Sequence, residues 1–249
     1  VHPLSSVRPF LSMHPLSSIR VLILSLLLLG FAMVQATPAM AAKYAAIVIE
    51  EHSGKVLFAR NADQARYPAS LTKIMTLYLL FEELEARRLT MDTRMRVSKT
   101  AAGRSPSKLY LQPGQSVAVR DAIYALITKS ANDVATVVAE HLSGTERDFG
   151  KRMTRKARAL GMSRTTFRNA SGLPHSQQKT TARDMARLGI AIRRDFPQYF
   201  GFFSTKSFRW KGKRFGNHNK LLSSYQGTDG IKTGYINASG FNLLATVER

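Results

Sequence analysis

Three short stretches bring together residue types capable of nucleophilic chemistry. Ser70-Leu71-Thr72-Lys73 places an amine three residues after a hydroxyl. Ser130-Ala131-Asn132 adds a second hydroxyl and a carboxamide, and Lys232-Thr233-Gly234 sets a cation two residues before a glycine near the chain end. A serine hydroxyl is a weak nucleophile until a neighbouring base takes its proton. On a helix, positions i and i+3 share a face, so the Lys73 amine can reach the Ser70 hydroxyl. Together the three stretches suit acyl transfer through a serine ester, and their combination is a known signature of that chemistry.

Each stretch is ordinary alone. Ser-x-x-Lys recurs at Ser105–Lys108, where Pro106 follows in a turn-rich run, and at Ser176–Lys179, in a polar loop. Only Ser70 opens a long helix with apolar periodicity. Taken singly, Ser70 reads as a helix N-cap, Ser130 as a turn hydroxyl and Lys232-Thr233-Gly234 as part of an edge strand. Ser-x-Asn and Lys-Thr-Gly each occur once and in the expected order, and that conjunction favours the chemical reading. Competing chemistries lack their residues. The chain has no cysteine, which removes a thiol nucleophile, a disulfide framework and a thiolate metal site. There is no phosphate-binding Gly-rich loop and no His-Glu-x-x-His. His52, His141, His175 and His218 are not paired at ligand spacing and read as surface or turn residues. Neither a metal nor an organic cofactor is expected.

The elements that must position these groups follow from hydrophobic periodicity and turn chemistry. Residues 44–59 read as a β-hairpin turning at His52-Ser53-Gly54-Lys55. A helix is predicted from Pro68, with Ile74, Leu77, Tyr78, Phe81 and Leu84 on its apolar stripe. Residues 98–116, rich in Ser, Gly, Pro and Lys, read as a long surface loop. Helical stretches at 121–128, 134–142 and 147–160 follow, the last basic with Met153 and Leu160 inward. A loop at 168–180 leads to a helix from Thr181 to about Arg193. Residues 203–210 and 214–215 flank Lys211-Gly212-Lys213 as a hairpin, and 230–236 and 241–247 read as two strands. Strands lie at both ends and helices between them, without a linker. The expected fold class is therefore α/β (α+β), one unit whose two ends meet in one sheet.

Charge and the N-terminus bear on the compartment. The 249 residues hold 37 Lys+Arg against 16 Asp+Glu, a formal charge of +21. Such an excess invites an anionic partner: nucleic acid, a membrane surface or an acidic polymer. Residues 21–34 form an uncharged apolar run after Arg8 and Arg20, and Ala39-Met40-Ala41 follows as a small-residue exit. That pattern predicts a secretory signal peptide over 1–41, with an uncleaved anchor as the alternative. VHPLSSVR at 1–8 nearly repeats as MHPLSSIR at 13–20, so Met13 competes with Val1 as the start. An exported protein makes the bacterial envelope a better partner than nucleic acid, and the expected location is the periplasm or cell envelope.

The chain resembles the D-alanyl-D-alanine carboxypeptidases, the low-molecular-mass penicillin-binding proteins of the S11 serine peptidase kind. The likeness runs from about Ala45 to Arg249. It is carried by Tyr67-Pro68-Ala69-Ser70-Leu71-Thr72-Lys73-Ile74-Met75-Thr76, Asn132-Asp133, the stretch from Asn169 to Pro174, Thr181-Ala182-Arg183-Asp184-Met185, Asn217-His218-Asn219-Lys220-Leu221-Leu222 and Asp229-Gly230-Ile231-Lys232-Thr233-Gly234-Tyr235. The resemblance implies a β-lactamase/DD-peptidase-like fold, an antiparallel sheet flanked by helices with a mostly helical subdomain. It also implies that 42–249 is a catalytic domain cut short, since the family continues with a further strand and helix.

By the same resemblance, catalysis falls to Ser70, Lys73 and Ser130. Ser70 attacks the carbonyl between the terminal D-alanines of a peptidoglycan stem peptide. Lys73, neutral through burial and the nearby Lys232 charge, is the base, and Ser130 relays the proton. Asn132, Lys232, Thr233, Gly234 and Tyr235 bind substrate, with the oxyanion hole formed by the backbone N–H groups of Ser70 and Tyr235. No glutamate lies between residues 147 and 180, so the fast deacylation of a class A β-lactamase is not expected, and β-lactam antibiotics should act as covalent inhibitors. Two alternatives remain open: a DD-endopeptidase of the same fold, and a non-catalytic basic binding protein. The second is suggested by the cations and aromatics interleaved from Phe208 to Phe215. Peripheral association with the inner membrane or anionic envelope polymers is a further expectation.

Overall fold

The computed structural model describes residues 44–248, so the predicted signal peptide lies outside the described residues. The described residues begin with the expected hairpin, β1 (Ala46–Ile49) against β2 (Val56–Arg60). A 3-10 turn at Ala69–Leu71 then runs directly into α1 (Thr72–Glu85). This helix is apolar on nearly every side, and Ile74, Met75, Leu77, Leu79, Leu80 and Phe81 have no exposed surface. A helix apolar all round must lie in the middle of the fold. It packs against α4 (Asn132–Ser143), α5 (Glu146–Ala159) and α6 (Ala182–Asp195).

The caps explain where these helices begin and end. Thr145 and Thr181 accept hydrogen bonds from the backbone N–H groups of Asp148 and Asp184, capping α5 and α6. At its C-terminus α4 stops at Gly144, whose φ of 73° no β-branched residue would tolerate. The basic α5 turns Phe149, Met153 and Ala157 inward, whereas Leu160 lies just past its end and is only partly buried.

Two expectations need correction. Residues 98–116 are not simply a surface loop. They contain α2 (Lys99–Ala102) and lead into β4 (Ser116–Ala118), which pairs with β3 (Arg94–Arg96). Leu109 and Leu111 are buried, because the Asp133 carboxylate accepts hydrogen bonds from both of their backbone N–H groups and pins the segment to α4. The two ends of the chain also do not share a ladder among the described residues. β7 (Thr228–Ile236) pairs only with β8 (Gly240–Val247), and β1 only with β2. Both hairpins instead pack on α6, so a helix rather than a hydrogen-bonded strand connects them.

The remaining elements complete the middle of the chain. α3 (Val119–Tyr124) widens into a π turn at Ala125–Lys129 just before Ser130. After α6 come α7 (Pro197–Phe200), a 3-10 turn at Gly201–Ser204, the hairpin β5 (Ser207–Trp210) and β6 (Lys213–Gly216), and α8 (Leu221–Ser224). The strand predicted from Phe203 thus starts at Ser207, because Phe203 is drawn into the aromatic core beside Phe81 and Phe200. No helix of the described residues is long and apolar enough to cross a membrane.

Candidate active site

Ser70, the expected nucleophile, stands on a strained turn. Ala69 has φ 47°, a left-handed conformation that disfavours a residue with a Cβ by roughly 1–2 kcal/mol. Ser70 follows in the 3-10 turn, and Lys73 lies one turn on in α1, wholly buried. The Lys73 Nζ is 3.1 Å from Ser70 Oγ, 2.7 Å from Asn132 Oδ1 and 2.6 Å from the Ser171 carbonyl oxygen. The i, i+3 geometry expected from spacing is therefore present.

Electrostatics decide what that amine can do. Burial, then the like charge of Lys232, hold the Lys73 pKa well below the usual lysine value; Asp133 and Glu146 pull weakly the other way. A neutral amine has two N–H donors and one lone pair. The carboxamide oxygen of Asn132 and the carbonyl of Ser171 cannot donate here, so they take the two N–H groups. In that neutral form the lone pair is left facing the Ser70 hydroxyl, in place of the Nζ donation to Ser70 Oγ that the protonated amine makes. The neighbours thus orient Lys73 as a base toward one oxygen.

Ser130 and Asn132 come from the break between the π turn and α4. Ser130 has φ 58°, and its Oγ is buried without any hydrogen-bond partner. Asn132 donates through Nδ2 to the Ser105 carbonyl and through its backbone N–H to the Ser107 carbonyl. Segment 105–111 is in turn clamped by the fully buried Asp133. The carboxylate next to the Ser-x-Asn motif therefore positions the loop that positions Asn132.

The third stretch arrives on β7. Gly234 passes so close to the nucleophile that a Cβ there would lie 2.8 Å from the Ser70 backbone nitrogen. Lys232 is 1% exposed, its Nζ donates to the Thr233 carbonyl, and burial lowers its pKa to about 7. A cleft of about 600 Å³ is lined by Ser70, Ser130, Asn132, Thr233, Gly234 and Tyr235, among others. Six of the sequence-predicted site residues thus line one cleft, while buried Lys73 bonds to two of them and buried Lys232 bonds to the carbonyl of Thr233. No cluster of three or more His, Asp or Glu side chains suited to a metal occurs among the described residues.

Several contributors carry no spacing signal. The Ser171 carbonyl, the Gly172 backbone and the Asp133 clamp are recognisable only once folded. Gln178 holds the 168–180 loop, its Oε1 accepting from the backbone N–H groups of Arg168 and Asn169. His218, expected to be a turn or surface residue, is exposed but sits at the cleft lip. Glu146 does not reach toward Ser70; its carboxylate is engaged by Arg104, Thr136 and the backbone N–H of Ala170.

A cleft serine bonded to a buried lysine under a Lys-Thr-Gly strand, on a helical core edged by antiparallel hairpins, defines the architecture of the penicillin-binding DD-peptidases. The Peptidase_S11 description, D-alanyl-D-alanine carboxypeptidase, matches residues 32–249, and the chain belongs to that family. It is 38% identical over 207 residues to the D-alanyl-D-alanine carboxypeptidase DacC of Escherichia coli, covering 80% of this chain and 52% of the relative. It is 32% identical over 244 residues to DacF of Bacillus subtilis, covering 91% and 63%. The chain thus spans about half to two thirds of the length of these relatives. Among solved structures, penicillin-binding protein D2 of Listeria monocytogenes in its ampicillin-bound form superposes with a TM-score of 0.74 at 33% identity, over 82% of this chain and 84% of that one.

Proposed function

We propose that this chain is a serine-type D-Ala-D-Ala carboxypeptidase that removes the terminal D-alanine from peptidoglycan stem pentapeptides. The observation that carries the reading is the buried Lys73 amine, 3.1 Å from Ser70 Oγ with its other two neighbours restricted to accepting.

In the first step Lys73 Nζ takes the Ser70 proton while Oγ attacks the carbonyl between the two D-alanines. The developing oxyanion is received by the backbone N–H groups of Ser70 and Tyr235, at the closest approach of β7 to the 3-10 turn. Ser130 Oγ passes a proton to the leaving amine as the C–N bond breaks; its lack of any other partner leaves it free for this. Lys232, with the Thr233 hydroxyl, receives the terminal carboxylate, and that requirement for a free carboxylate makes the reaction an exopeptidase one. Asn132 bonds the substrate's peptide group while holding Lys73. Water then releases the acyl group from Ser70.

Penicillin follows the first half of this path. No Asp or Glu among the described residues lines the cleft, and Glu146 is engaged by Arg104 and the Ala170 backbone, so rapid hydrolysis of the penicilloyl ester is not expected. An exported, cell-envelope location fits both the substrate and the apolar run at residues 21–34.

Fluorescent penicillin labelling tests the reading. The wild-type chain should form a covalent adduct and release D-alanine from a soluble pentapeptide, and Ser70→Ala should do neither. An adduct that survives in Ser70→Ala would overturn it.

A further inference from the structure

The β5–β6 hairpin holds a concentration of positive charge that forms no ion pair among the described residues. Its register sets Arg209 directly opposite Arg214. Like charges opposed across an antiparallel pair are destabilising. Lys211 and Lys213 stand beside them at the turn, and all four side chains are exposed. No acidic residue occurs between Phe196 and Thr228. The contacts these cations do make are to neutral groups: Arg214 Nε donates to Ser207 Oγ at 3.0 Å, and Lys211 Nζ to Gln115 Oε1 at 3.4 Å.

Several basic residues elsewhere do meet a carboxylate. Arg183 pairs with Asp63, Arg187 with Asp184, Arg193 with Asp229 and Lys151 with Asp148. The hairpin is also held firmly in place. Phe208 is buried and stacked on Tyr124, with ring centroids 5.6 Å apart and planes 15° apart. The Lys129 ammonium lies 5.2 Å from the centroid of the Phe215 ring, tying the hairpin to the π turn that ends at Ser130. Lys220, a few residues beyond β6, lines the cleft itself. The charges are therefore fixed beside the cleft rather than carried on a free arm.

We infer that the outer face of the β5–β6 hairpin binds the carboxylate-rich peptides of the same polymer whose stem-peptide end enters the cleft. This rests on the proposed carboxypeptidase reading. Arginine forks match carboxylates in bidentate geometry, and each stem peptide of the polymer supplies free carboxylates. An occupant reaching both the cleft and the hairpin must be one continuous chain, which the polymeric substrate is. Each exposed contact is weak and screened by salt, but contacts made together with occupancy of the cleft raise the effective concentration of the next stem peptide. Like-charge strain in the free hairpin is relieved when the anion arrives.

The test compares the full chain with Arg209→Gln/Lys211→Gln/Lys213→Gln/Arg214→Gln and with Arg209→Glu alone. Retention on purified peptidoglycan sacculi is measured by co-sedimentation at low and moderate salt, beside D-alanine release from a soluble pentapeptide. The quadruple variant should lose retention several-fold and show a shallower salt dependence, with turnover of the soluble substrate unchanged. Arg209→Glu should raise thermal stability, by setting opposite charges across the pair, yet lower retention. Unchanged retention in both variants would overturn the inference. So would equal loss of soluble-substrate turnover, or retention that vanishes when phosphate polymers are stripped from the sacculi. The Ser70-dependent penicillin adduct is read separately: its absence sinks the catalytic reading, whereas its presence with unchanged retention sinks this one.

Discussion

Gly172 lies against Ala69 so closely that a Cβ at 172 would stand 1.8 Å from the Ala69 carbonyl oxygen. Gly172 also has φ 86°, a conformation that any larger residue resists. The two backbones are pressed together where the nucleophile's turn meets the loop whose Ser171 carbonyl holds Lys73. For Gly172→Ala we expect a loss of about 2–4 kcal/mol in stability, as backbone strain and overpacking combine. Penicillin acylation should fall further than stability alone accounts for, because either backbone must move. Chemical denaturation and acylation rates measured well below the transition check both halves.

Ser130→Ala should behave in the opposite way. The Ser130 Oγ is buried and unpartnered, so removing it leaves no orphaned group. Stability should change by no more than about 0.5–1 kcal/mol, or rise. Acylation by penicillin should nevertheless drop by about two orders of magnitude or more, the usual scale for a proton-transfer group. A matched fall in both quantities would refute the proton-relay role.

Lys232 combines burial with an amine whose pKa lies at about 7. Its charge is needed to hold a carboxylate, so KM for a pentapeptide should rise as pH climbs through that value in the free enzyme. The linkage to stability has the reverse sense. The unfolded lysine holds its proton to a higher pH than the folded one, so stability rises with pH between about 7 and the ordinary lysine value. Lys232→Met should therefore raise the melting temperature near neutral pH, by a few degrees for about 1 kcal/mol, while abolishing D-alanine release. Calorimetry and the pH dependence of KM are the readouts.

Asp133 influences Lys73 by charge as well as through the 105–111 loop. Its carboxylate raises the Lys73 pKa, against burial and Lys232. In Asp133→Asn that pull is lost, Lys73 deprotonates more readily, and the acid limb of the acylation profile should move to lower pH. Weaker hydrogen bonds to the Leu109 and Leu111 N–H groups should also lower stability by about 1–3 kcal/mol. A stability loss with an unmoved acid limb would confine Asp133 to a structural part.

Much of the site was legible before folding. Ser70 and Lys73 are three residues apart on one helix, and local spacing alone implies their contact. Ser130-Ala131-Asn132 and Lys232-Thr233-Gly234 were legible through their joint occurrence. Apolar periodicity marks the helix over 72–85, and the helix read from Thr181 to about Arg193 matches the one over 182–195. The 98–116 segment was misjudged because its polar composition says nothing of Asp133, which draws Leu109 and Leu111 inward from 22 to 24 residues away.

Sequence by itself therefore determined the candidate reacting groups, the helix that pairs the first two, and the lack of any cysteine thiol in these 249 residues. These depend on residue identity and on contacts within one turn of helix. Tertiary structure alone decided that the Lys73 amine is buried, that Asn132 and the Ser171 carbonyl accept two of its hydrogen bonds, and that the β5–β6 charges form no ion pair among the described residues. Each of those depends on what long-range packing brings near or keeps away, because both desolvation and Coulomb interaction act through space. A chain read one residue after another does not show which of its 37 cations will meet a carboxylate and which will not.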